Sequence, residues 1–387
     1  MLRLRAAAAI AVLLAACGGE RVVTAPGTPT PTTSGAASTS PSGPTPVEIL
    51  ATVPVGQDPI GITAGAGSLW VVNAEVDAPA GSVSRIDPAT NEILATIPVG
   101  AVPLEVAVGA GSVWVSNSAD DTVSRIDPAT NTVAATIDVC GAPEGIAIGG
   151  GGVWVVCEDD NVVGRIDPTT QALAASVPVG REPRFALYAD DSVWVSAYLG
   201  SSVTRVDPRA DRVVATIPAG FSPQVMTEFA GSVWVTNLSG STLTQIDVAT
   251  NQVVGTVDTE AGPDGVVSLA GSLWVATDSG PLVQRIDPAL GEVTGTFRVS
   301  DQSTITANQL IGIGDGALWF PLLDAGTVVK VAIPTAASPS AVPPPPLASL
   351  PAPSPPATSS QAVSSPSAAS LPPSPSPSAP SASPSSV

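Results

Sequence analysis

Residues 112–131 have the sequence SVWVSNSADDTVSRIDPATN, and close variants of this stretch recur along the middle of the chain. Most copies have an apolar run around a tryptophan, a polar turn, a second run, and a turn with proline at its second position, as type I and type II turns favour. The spacings between successive tryptophans are 44, 40, 40, 40, 40 and 45 residues, for Trp70, Trp114, Trp154, Trp194, Trp234, Trp274 and Trp319. The chain is therefore an array of seven similar units.

One unit consists of four short segments with strand character, joined by tight turns. In the second unit these segments are residues 103–108, 112–117, 122–127 and 132–138. The last segment is rich in β-branched residues, which favour strands. Four strands repeated at about 40 residues are typical of a propeller blade, and no long stretch has a helical period. The sequence predicts an all-β, seven-bladed β-propeller of four-stranded blades.

The two ends of the repeat region complement each other. Residues 47–56 match the fourth strand of the first unit, residues 92–100, whereas the last unit stops after its third strand at Ile333. We therefore expect the entering strand to complete the last blade. Such a latch removes the open edges that a three-stranded blade would leave.

The residues that every unit shares are expected to hold the fold. The tryptophans suit the wedge between blades, where a large ring buries much area. An aspartate at the first position of each Ile-Asp-Pro turn can accept a backbone N–H two residues further on. The arginines two residues before those aspartates are expected to pair with carboxylates and cover blade edges, at Arg85, Arg125, Arg165, Arg205 and Arg285.

The repeated runs Trp-Val-Thr-Asn, Arg-Ile-Asp-Pro-Ala-Thr-Asn and Ala-Thr-Ile-Pro-Val-Gly resemble those of YVTN-type seven-bladed β-propellers, with Trp replacing the leading Tyr. The resemblance covers residues 47–333 and is specific for the fold, but not for a function. The same broad group includes virginiamycin B lyase, for which the resemblance implies an active-site His and Mg²⁺. This chain contains no His, so no residue can take that role.

The first residues resemble a bacterial lipoprotein signal. Arg3 and Arg5 precede an apolar run at residues 6–14, which is shorter than the roughly 20 residues of a spanning helix. The sequence Leu-Ala-Ala-Cys at residues 14–17 resembles a lipobox, which implies cleavage before Cys17 and lipidation of its thiol. We expect an extracytoplasmic protein anchored to the cell membrane by acyl chains; an ordinary secretory signal is the alternative.

Two flanking segments contain too few large apolar residues to form a hydrophobic core. Residues 17–46 are rich in Thr, Ser, Pro and Gly, and residues 334–387 are almost entirely Pro, Ser and Ala. We expect both to be disordered. The predicted organisation is a signal peptide at 1–16, a linker at 17–46, the propeller at 47–333 and a tail at 334–387.

The charge balance restricts the partners. The formal net charge is −19, and the tail has no charged residue. A protein that binds nucleic acid without sequence preference needs a positive surface, so the negative charge argues against that function. The negative charge also disfavours docking on anionic lipid. We expect a monomer that meets the membrane only through its N-terminal lipid and that binds a small molecule or a protein.

The position after the proline of each first strand differs from unit to unit, so it is the best candidate for a ligand site. First strands line the central channel of a propeller, and the side chains at this position should form a ring at one mouth. The ring consists of Ile60, Leu104, Glu144, Arg184, Gln224, Asp264 and Gln309. We call these residues the mouth ring.

Three more residues belong to the predicted site. Glu105 and Phe185 follow the mouth ring by one position, and Tyr198 lies in a loop on the same face. Opposite charges and aromatic faces together suit a small zwitterionic or polar ligand, and Arg184 could hold a carboxylate or phosphate bidentately. The alternative is that the charged residues only pair with one another.

An acidic group gathers in the second and third units, at Asp120, Asp121, Glu158, Asp159 and Asp160. Carboxylates can bind Ca²⁺, but the chain has no twelve-residue calcium loop. We therefore predict no cofactor, with Ca²⁺ as the alternative.

Two cysteines remain after Cys17 is assigned to the lipid. Cys140 and Cys157 lie in one unit and should reach the same face. A catalytic Cys would need a His partner, whereas an even pair in an exported protein indicates a disulfide.

Taken together, these features favour a non-enzymatic surface lipoprotein that binds a ligand or a protein partner. A metal-dependent lyase or lactonase-like hydrolase with its site at the channel mouth is the second hypothesis. A structural protein of the cell envelope is the third.

The lipid anchor gives the first testable prediction. Replacing the thiol in Cys17→Ser should block lipidation, so the protein should be released or remain as unprocessed precursor. Fractionation of cells expressing each form measures this directly. A mature Cys17→Ser protein that still fractionates with membranes would contradict the lipobox hypothesis.

Overall fold

The computed structural model describes residues 44–277, 280, 282–300, 311–313 and 316–333. The predicted signal peptide and tail lie outside the described residues, as do Cys17, Gln309 and nearly all of the linker. The described residues contain no helix long and apolar enough to cross a membrane.

The strands form seven blades. The entering segment supplies β1 (Thr45–Pro46) and β2 (Ile49–Pro54). Blade 1 consists of β3 (Pro59–Gly65), β4 (Ser68–Asn73), β5 (Ser82–Ile86) and β6 (Ile93–Pro98). Blade 2 consists of β7 (Pro103–Gly109), β8 (Ser112–Asn117), β9 (Thr122–Asp127) and β10 (Thr132–Asp138). Blade 3 consists of β11 (Pro143–Gly149), β12 (Gly152–Cys157), β13 (Val162–Asp167) and β14 (Ala172–Pro178).

The remaining blades follow the same order. Blade 4 consists of β15 (Pro183–Ala189), β16 (Ser192–Ala197), β17 (Ser202–Asp207) and β18 (Arg212–Pro218). Blade 5 consists of β19 (Pro223–Phe229), β20 (Ser232–Asn237), β21 (Thr242–Asp247) and β22 (Gln252–Asp258). Blade 6 consists of β23 (Pro263–Leu269), β24 (Ser272–Thr277), β25 (Leu282–Asp287) and β26 (Glu292–Arg298). Blade 7 consists of β27 (Ile311–Ile313), β28 (Ala317–Leu322), β29 (Thr327–Ala332) and β2, with a 3₁₀ turn at Leu323–Ala325.

Burial within a blade explains the sequence pattern of its strands. All six residues of β8 are buried, because neighbouring blades cover both of its faces. In β10 the exposed residues alternate with half-buried ones, because this outermost strand faces solvent on one side. The second strand of each unit therefore carries a continuous apolar run around its tryptophan, with small polar residues at its ends, and the fourth strand alternates. The seven-bladed architecture expected from the repeat is confirmed.

The latch is also confirmed. β2 pairs antiparallel with β29, from Ile49 opposite Val331 to Pro54 opposite Thr327. Val53 is 4 % exposed and packs with Trp319 in the core shared by blades 7 and 1. The entering strand therefore closes the ring through both hydrogen bonds and core packing.

The segment before the latch makes a contact that the sequence did not predict. β1 runs parallel to β26 and adds a fifth strand to the sheet of blade 6. The N–H of Val47 donates to the carbonyl of Arg298 at 3.0 Å, and the Val47 side chain packs against the core of blades 6 and 7. Two residues, one of them a proline without an N–H, carry no strand pattern that could have revealed this pairing.

The tryptophans lie between blades, as predicted. Each is at most 1 % exposed. In blade 1 the indole N–H of Trp70 donates to the carbonyl of Gly65 at 3.0 Å, and Trp114, Trp154, Trp194 and Trp274 repeat this bond five residues back. In these five blades the ring packs as core while its one polar atom is satisfied, whereas the buried indole N–H groups of Trp234 and Trp319 have no partner among the described residues.

The repeated arginines join neighbouring blades. The guanidinium of Arg85 lies 4.9 Å from the Trp70 ring centre, and its Nη1 donates to Pro128 O and Asn131 Oδ1 of blade 2. Arg205 repeats these bonds toward blade 5. Arg165 instead forms two bonds to the carboxylate of Asp211. The expected pairing with carboxylates therefore holds for some of these arginines, while others bind carbonyl and amide oxygens.

The Ile-Asp-Pro turns behave as predicted. Asp87 Oδ1 accepts the N–H of Ala89 at 2.8 Å, and Asp127 Oδ1 accepts the N–H of Ala129 at the same distance. Asn131, which ends the turn in blade 2, has a φ of 57°, a left-handed conformation that Asn tolerates. This conformation presents Asn131 Oδ1 to Arg85, so the turn also serves the contact between blades.

The latch gives the second prediction. Deleting residues 47–55 should open the ring, expose an edge of blade 7 and lower the melting temperature sharply. Burying Val53 alone is worth roughly 1.5–3 kcal/mol, against a total stability of about 5–15 kcal/mol for typical domains. Deleting residues 334–387 is the matched control and should leave the melting temperature unchanged. Equal melting temperatures for the intact chain and the 47–55 deletion would refute closure by β2.

Candidate ligand site at the channel mouth

The first strands of neighbouring blades contact one another around the channel, as the repeat predicts. The mouth ring residues of blades 1 to 6 occupy the second position of these strands and are between 3 % and 9 % exposed. These side chains are therefore buried, although they stand at the mouth of the channel. Around Arg184, Glu158 and Tyr198 from the loops after the second strands contribute to this burial.

The mouth ring is divided into two halves. Ile60 and Leu104 pack with Val102, Ala74 and Leu323 in an apolar cluster. The four ring positions of blades 3 to 6 are all polar and adjacent, and they hold Glu144, Arg184, Gln224 and Asp264. We call these four residues the polar half of the ring. Among the described ring residues, the polar groups therefore lie on one side of the mouth.

Arg184 is the centre of an ion-pair cluster. Its Nη1 lies 2.6 Å from Glu144 Oε1, and its Nη2 lies 3.0 Å from Glu158 Oε1 and 3.8 Å from Glu182 Oε2. Its guanidinium carbon lies 5.3 Å from the centre of the Tyr198 ring. Both terminal nitrogens therefore face carboxylates, which is the mutual pairing that the sequence left open as the alternative to an anion clamp.

The cluster joins residues that the sequence did not connect. Glu144 is the ring residue of the preceding blade, and Glu158 follows β12 at the end of a hairpin. Glu182 had not been singled out, although it directly precedes Pro183 at the start of β15. The one sequence signal for Glu182 is its position just before β15, the strand that carries Arg184.

Two polar groups in the polar half have no hydrogen-bond partner among the described residues. The Nε of Arg184 is fully buried and donates to no acceptor. The side chain of Gln224 is 9 % exposed; its amide forms no hydrogen bond with the described residues, and its polar atoms are not fully buried. An unsatisfied buried donor such as the Nε–H of Arg184 costs about 1–3 kcal/mol. This cost is relieved if a bound molecule supplies an acceptor.

Burial alters the titration of the cluster. Burial raises the pKa of the Glu144 carboxyl well above 4.5; Arg184 lowers it in part, and the charge of Glu158 raises it again. Burial acts to lower the pKa of Arg184, but Glu144, Glu158 and Glu182 outweigh it and raise the pKa. Arg184 therefore stays charged, whereas burial favours the protonated form of Glu144.

A disulfide lies next to the cluster. Cys140 and Cys157 are bonded, with their Cα atoms 5.7 Å apart, so the predicted disulfide is confirmed. Cys157 directly precedes Glu158, and Cys140 lies four residues before Glu144. A loop of this size is worth about 3 kcal/mol when closed. The bond ties together the two backbone segments that present these glutamates to Arg184.

Most of the predicted acidic group supports loops. Asp120 Oδ2 accepts the N–H of Ala101 at 2.7 Å, and Asp121 Oδ1 accepts the N–H of Ala142 at 2.9 Å. Asp160 Oδ2 accepts the N–H of Gly141 at 2.8 Å. Within the described part of the chain, no three Cys, Asp or Glu side chains are grouped as metal ligands. Binding of Ca²⁺ stays a prediction without an assigned site.

Glu105 and Phe185 lie in the channel wall and not on the rim. Both line a cavity of about 350 Å³ formed by the first strands. Glu105 is 7 % exposed, and its carboxylate accepts the N–H of Val106 at 3.1 Å. Phe185 packs against the cores on both sides of blade 5. The structure thus separates these two residues from the polar half of the ring.

Comparison with known proteins supports the fold. A repeat family of unknown function, DUF6923, matches residues 228–365. No curated protein matches the chain. The structure is similar to hydrazine synthase of Kuenenia stuttgartiensis, with 16% identity, a TM-score of 0.63, and coverage of 71% of this chain and 96% of that one.

Two further solved structures are similar. A streptogramin B lyase has 15% identity and a TM-score of 0.63, with 73% of this chain and 97% of that chain covered. The computationally designed Ika8 protein has 12% identity and a TM-score of 0.57, with 75% and 100% covered. At such identities the likeness shows a β-propeller and nothing about the reaction or ligand.

The raised pKa of Glu144 gives the third prediction, tested with Glu144→Gln. A carboxyl with a raised pKa in the folded state stabilises the fold below its unfolded pKa, and this stability is lost as the pH rises through the folded pKa. The unfolding free energy of the variant minus that of the wild type should therefore increase from pH 4.5 to 8. The expected slope is about 1.4 kcal/mol per pH unit between the two pKa values.

Urea unfolding followed by tryptophan fluorescence measures this difference. Asp247→Asn is the matched control, because hydrogen bonds from Thr250 lower the pKa of Asp247 below 3.8. The unfolding free energy of Asp247→Asn minus that of the wild type should stay constant over the same pH range. A constant difference for Glu144→Gln as well would show that Glu144 is not desolvated.

Proposed function

We propose that this chain is an extracytoplasmic lipoprotein of the YVTN type whose propeller binds a small polar ligand at the polar half of the mouth ring, without catalysing its conversion. The Leu-Ala-Ala-Cys sequence at residues 14–17 supports the anchor. The Trp-Val-Thr-Asn run at residues 234–237 supports the YVTN type. The division of the ring into apolar and polar halves supports a ligand of limited size.

The amide of Gln224, which forms no hydrogen bond with the described residues and keeps partial access to the channel mouth, is the observation that carries the binding proposal. Gln224 lies in the mouth ring between Arg184 and Asp264, at a position whose residue type changes from blade to blade. A buried amide offers a donor and an acceptor at once, so it suits a ligand with a carbonyl, an amide or a hydroxyl group. The buried Nε–H of Arg184, in the adjacent blade, adds a second donor.

The arrangement of the charged residues favours binding over catalysis. Glu144 carries a raised pKa, which is a property of many general acids. However, it is 7 % exposed and bound to Arg184, so it holds the cluster together. The chain has no His to act as the base that the resemblance to virginiamycin B lyase implies. We therefore place the lyase or hydrolase hypothesis second.

The fourth prediction tests the role of Gln224 with Gln224→Leu. Without ligand, the variant should be about as stable as the wild type, because the amide that it loses forms no hydrogen bond with the described residues. A screen of amino acids, small amides and sugars by thermal shift on the full-length protein should yield compounds that raise the melting temperature of the wild type. The variant should bind these compounds about 5- to 150-fold more weakly, which corresponds to 1–3 kcal/mol.

Gln252→Leu is the matched control, since Gln252 is exposed at the start of β22 and should leave binding unchanged. Loss of stability in ligand-free Gln224→Leu would mean that the protein itself satisfies the amide. Compounds that stabilise the wild type and Gln224→Leu equally would place the binding site elsewhere.

A further inference from the structure

The outer edge of blade 6 holds an extended segment of this chain. β1 runs parallel to the end of β26, and the N–H of Val47 donates to the carbonyl of Arg298 at 3.0 Å. The Val47 side chain packs against the core that contains Val299 and Val329. Adding a strand to an exposed sheet edge is a common way of binding extended peptides. A Thr-Pro-Val run can therefore dock where the outer strand of one blade meets the next blade.

The same place between blades 1 and 2 is an open groove with a volume of about 540 Å³. Three of its lining residues are Pro98, Val99 and Ser124. Pro98 lies opposite the first residue of β5, as Arg298 lies opposite the first residue of β25. The strand registers thus place the three lining residues where blades 6 and 7 have Arg298, Val299 and Val329. The groove is the repeat counterpart of the place that Val47 occupies.

The groove combines apolar and hydrogen-bonding groups. Val99 and Val133 supply apolar surface, and Thr122 and Ser124 supply hydroxyls. The side-chain amide of Asn117 donates to both hydroxyls, at 3.0 Å and 2.9 Å. Each hydroxyl accepts in this bond and keeps its own O–H to donate. Such a lining suits an extended peptide, which carries carbonyl, N–H and apolar groups side by side.

The linker contains a matching sequence, in a part that lies outside the described residues. Residues 28–30 are Thr-Pro-Thr and repeat the Thr-Pro-Val of residues 45–47, with Thr in place of Val. Ser124 takes the place of Val329 in the groove, so the counterpart of Val47 meets a hydroxyl there. Thr has the branched shape of Val and a hydroxyl that can bond to Ser124.

The linker is long enough to reach the groove. Residues 31–44 separate the two segments, and such a stretch can span about 50 Å when extended. At strand spacings of about 4.8 Å, the outer strand of a blade lies roughly 20 Å from the channel axis, where two of seven blade steps make an arc of roughly 36 Å. The tether also keeps the segment near the groove at an effective concentration in the millimolar range.

We propose that residues 28–30 bind in the groove between blades 1 and 2 as a short strand parallel to β6. The N–H of Thr30 donates to the carbonyl of Pro98, as Val47 donates to Arg298, and the Thr30 side chain lies against Ser124. The groove lies outside the mouth ring, so this inference does not depend on ligand binding there.

Docking of this segment shortens the anchor. With Cys17 lipidated as proposed above, the free chain between the lipid and the propeller falls from residues 18–44 to residues 18–27. The reach of this chain as a coil falls from roughly 29 Å to roughly 17 Å. The docked segment therefore holds the propeller closer to the membrane than the full linker would.

Disulfide trapping in the full-length protein tests the proposal. Thr30→Cys combined with Thr136→Cys places one thiol on the segment and one on the groove wall. Peptide mapping by mass spectrometry without reductant measures the linked fraction. In the matched control Thr256→Cys replaces Thr136→Cys, because Thr256 is exposed at the same strand position of blade 5, whose groove with blade 4 is also two blade steps from β1.

The Thr136 pair should link at least about tenfold more than the Thr256 pair, because docking adds to a tether that serves both grooves equally. Equal linkage in the two pairs would overturn the proposal. A link that forms only between two copies of the chain would overturn it as well.

Hydrogen exchange of the unmodified full-length chain keeps the test decisive if a cysteine variant does not fold. After correction for intrinsic rates, the amides of residues 28–33 should exchange at least about tenfold more slowly than those of residues 34–40. Pro29→Gly should abolish this difference, because proline restricts the segment to an extended backbone and glycine does not. Equal exchange of the two segments in the wild type would show that the linker does not dock.

Discussion

The packing of a buried tryptophan between two blades is the interaction on which the rest of this structure depends. Trp70 belongs to blade 1 and packs in one core with Val106 and Val113 of blade 2. Arg85 covers the ring and reaches on to Asn131. Among the described strands, the main contacts between blades join sequence neighbours, so the same interface is repeated until the ring closes. The pairing of β2 with β29 is what makes this closure complete.

This constraint also explains where a site can form. Packing between blades uses the second strand, the third strand and the outer turn, and every unit therefore keeps these residues. The second position of the first strand faces the channel mouth and lies outside the cores that contain the tryptophans, so its residues can differ from blade to blade. Glu144 and Arg184 use this freedom to form a buried ion pair. Removing charges from water is costly, and the pairing with Glu158 and the disulfide at Cys157 offset part of this cost.

The sequence predicted most of the fold and only part of the candidate site. It identified the polar half of the ring because a repeat makes any departure from the pattern visible. It did not indicate that Glu182 joins the Arg184 cluster, since nothing in the repeat marks that position. It also placed Phe185 and Glu105 together with the rim residues, whereas the bulge near the start of each first strand turns the third position into the channel wall.

The sequence by itself determined the number of blades, the strands within each blade, the latch and the disulfide. These features depend on local periodicity and on pairs of residues close along the chain, and both are legible in a single sequence. Only the tertiary structure decided which ring residues pair, how deeply they are buried and what cavity lies below them. Glu144 and Arg184 are 40 residues apart and meet because the blades close into a ring. The distances between residues of different blades depend on that closure, so they cannot be inferred from any local stretch of the sequence.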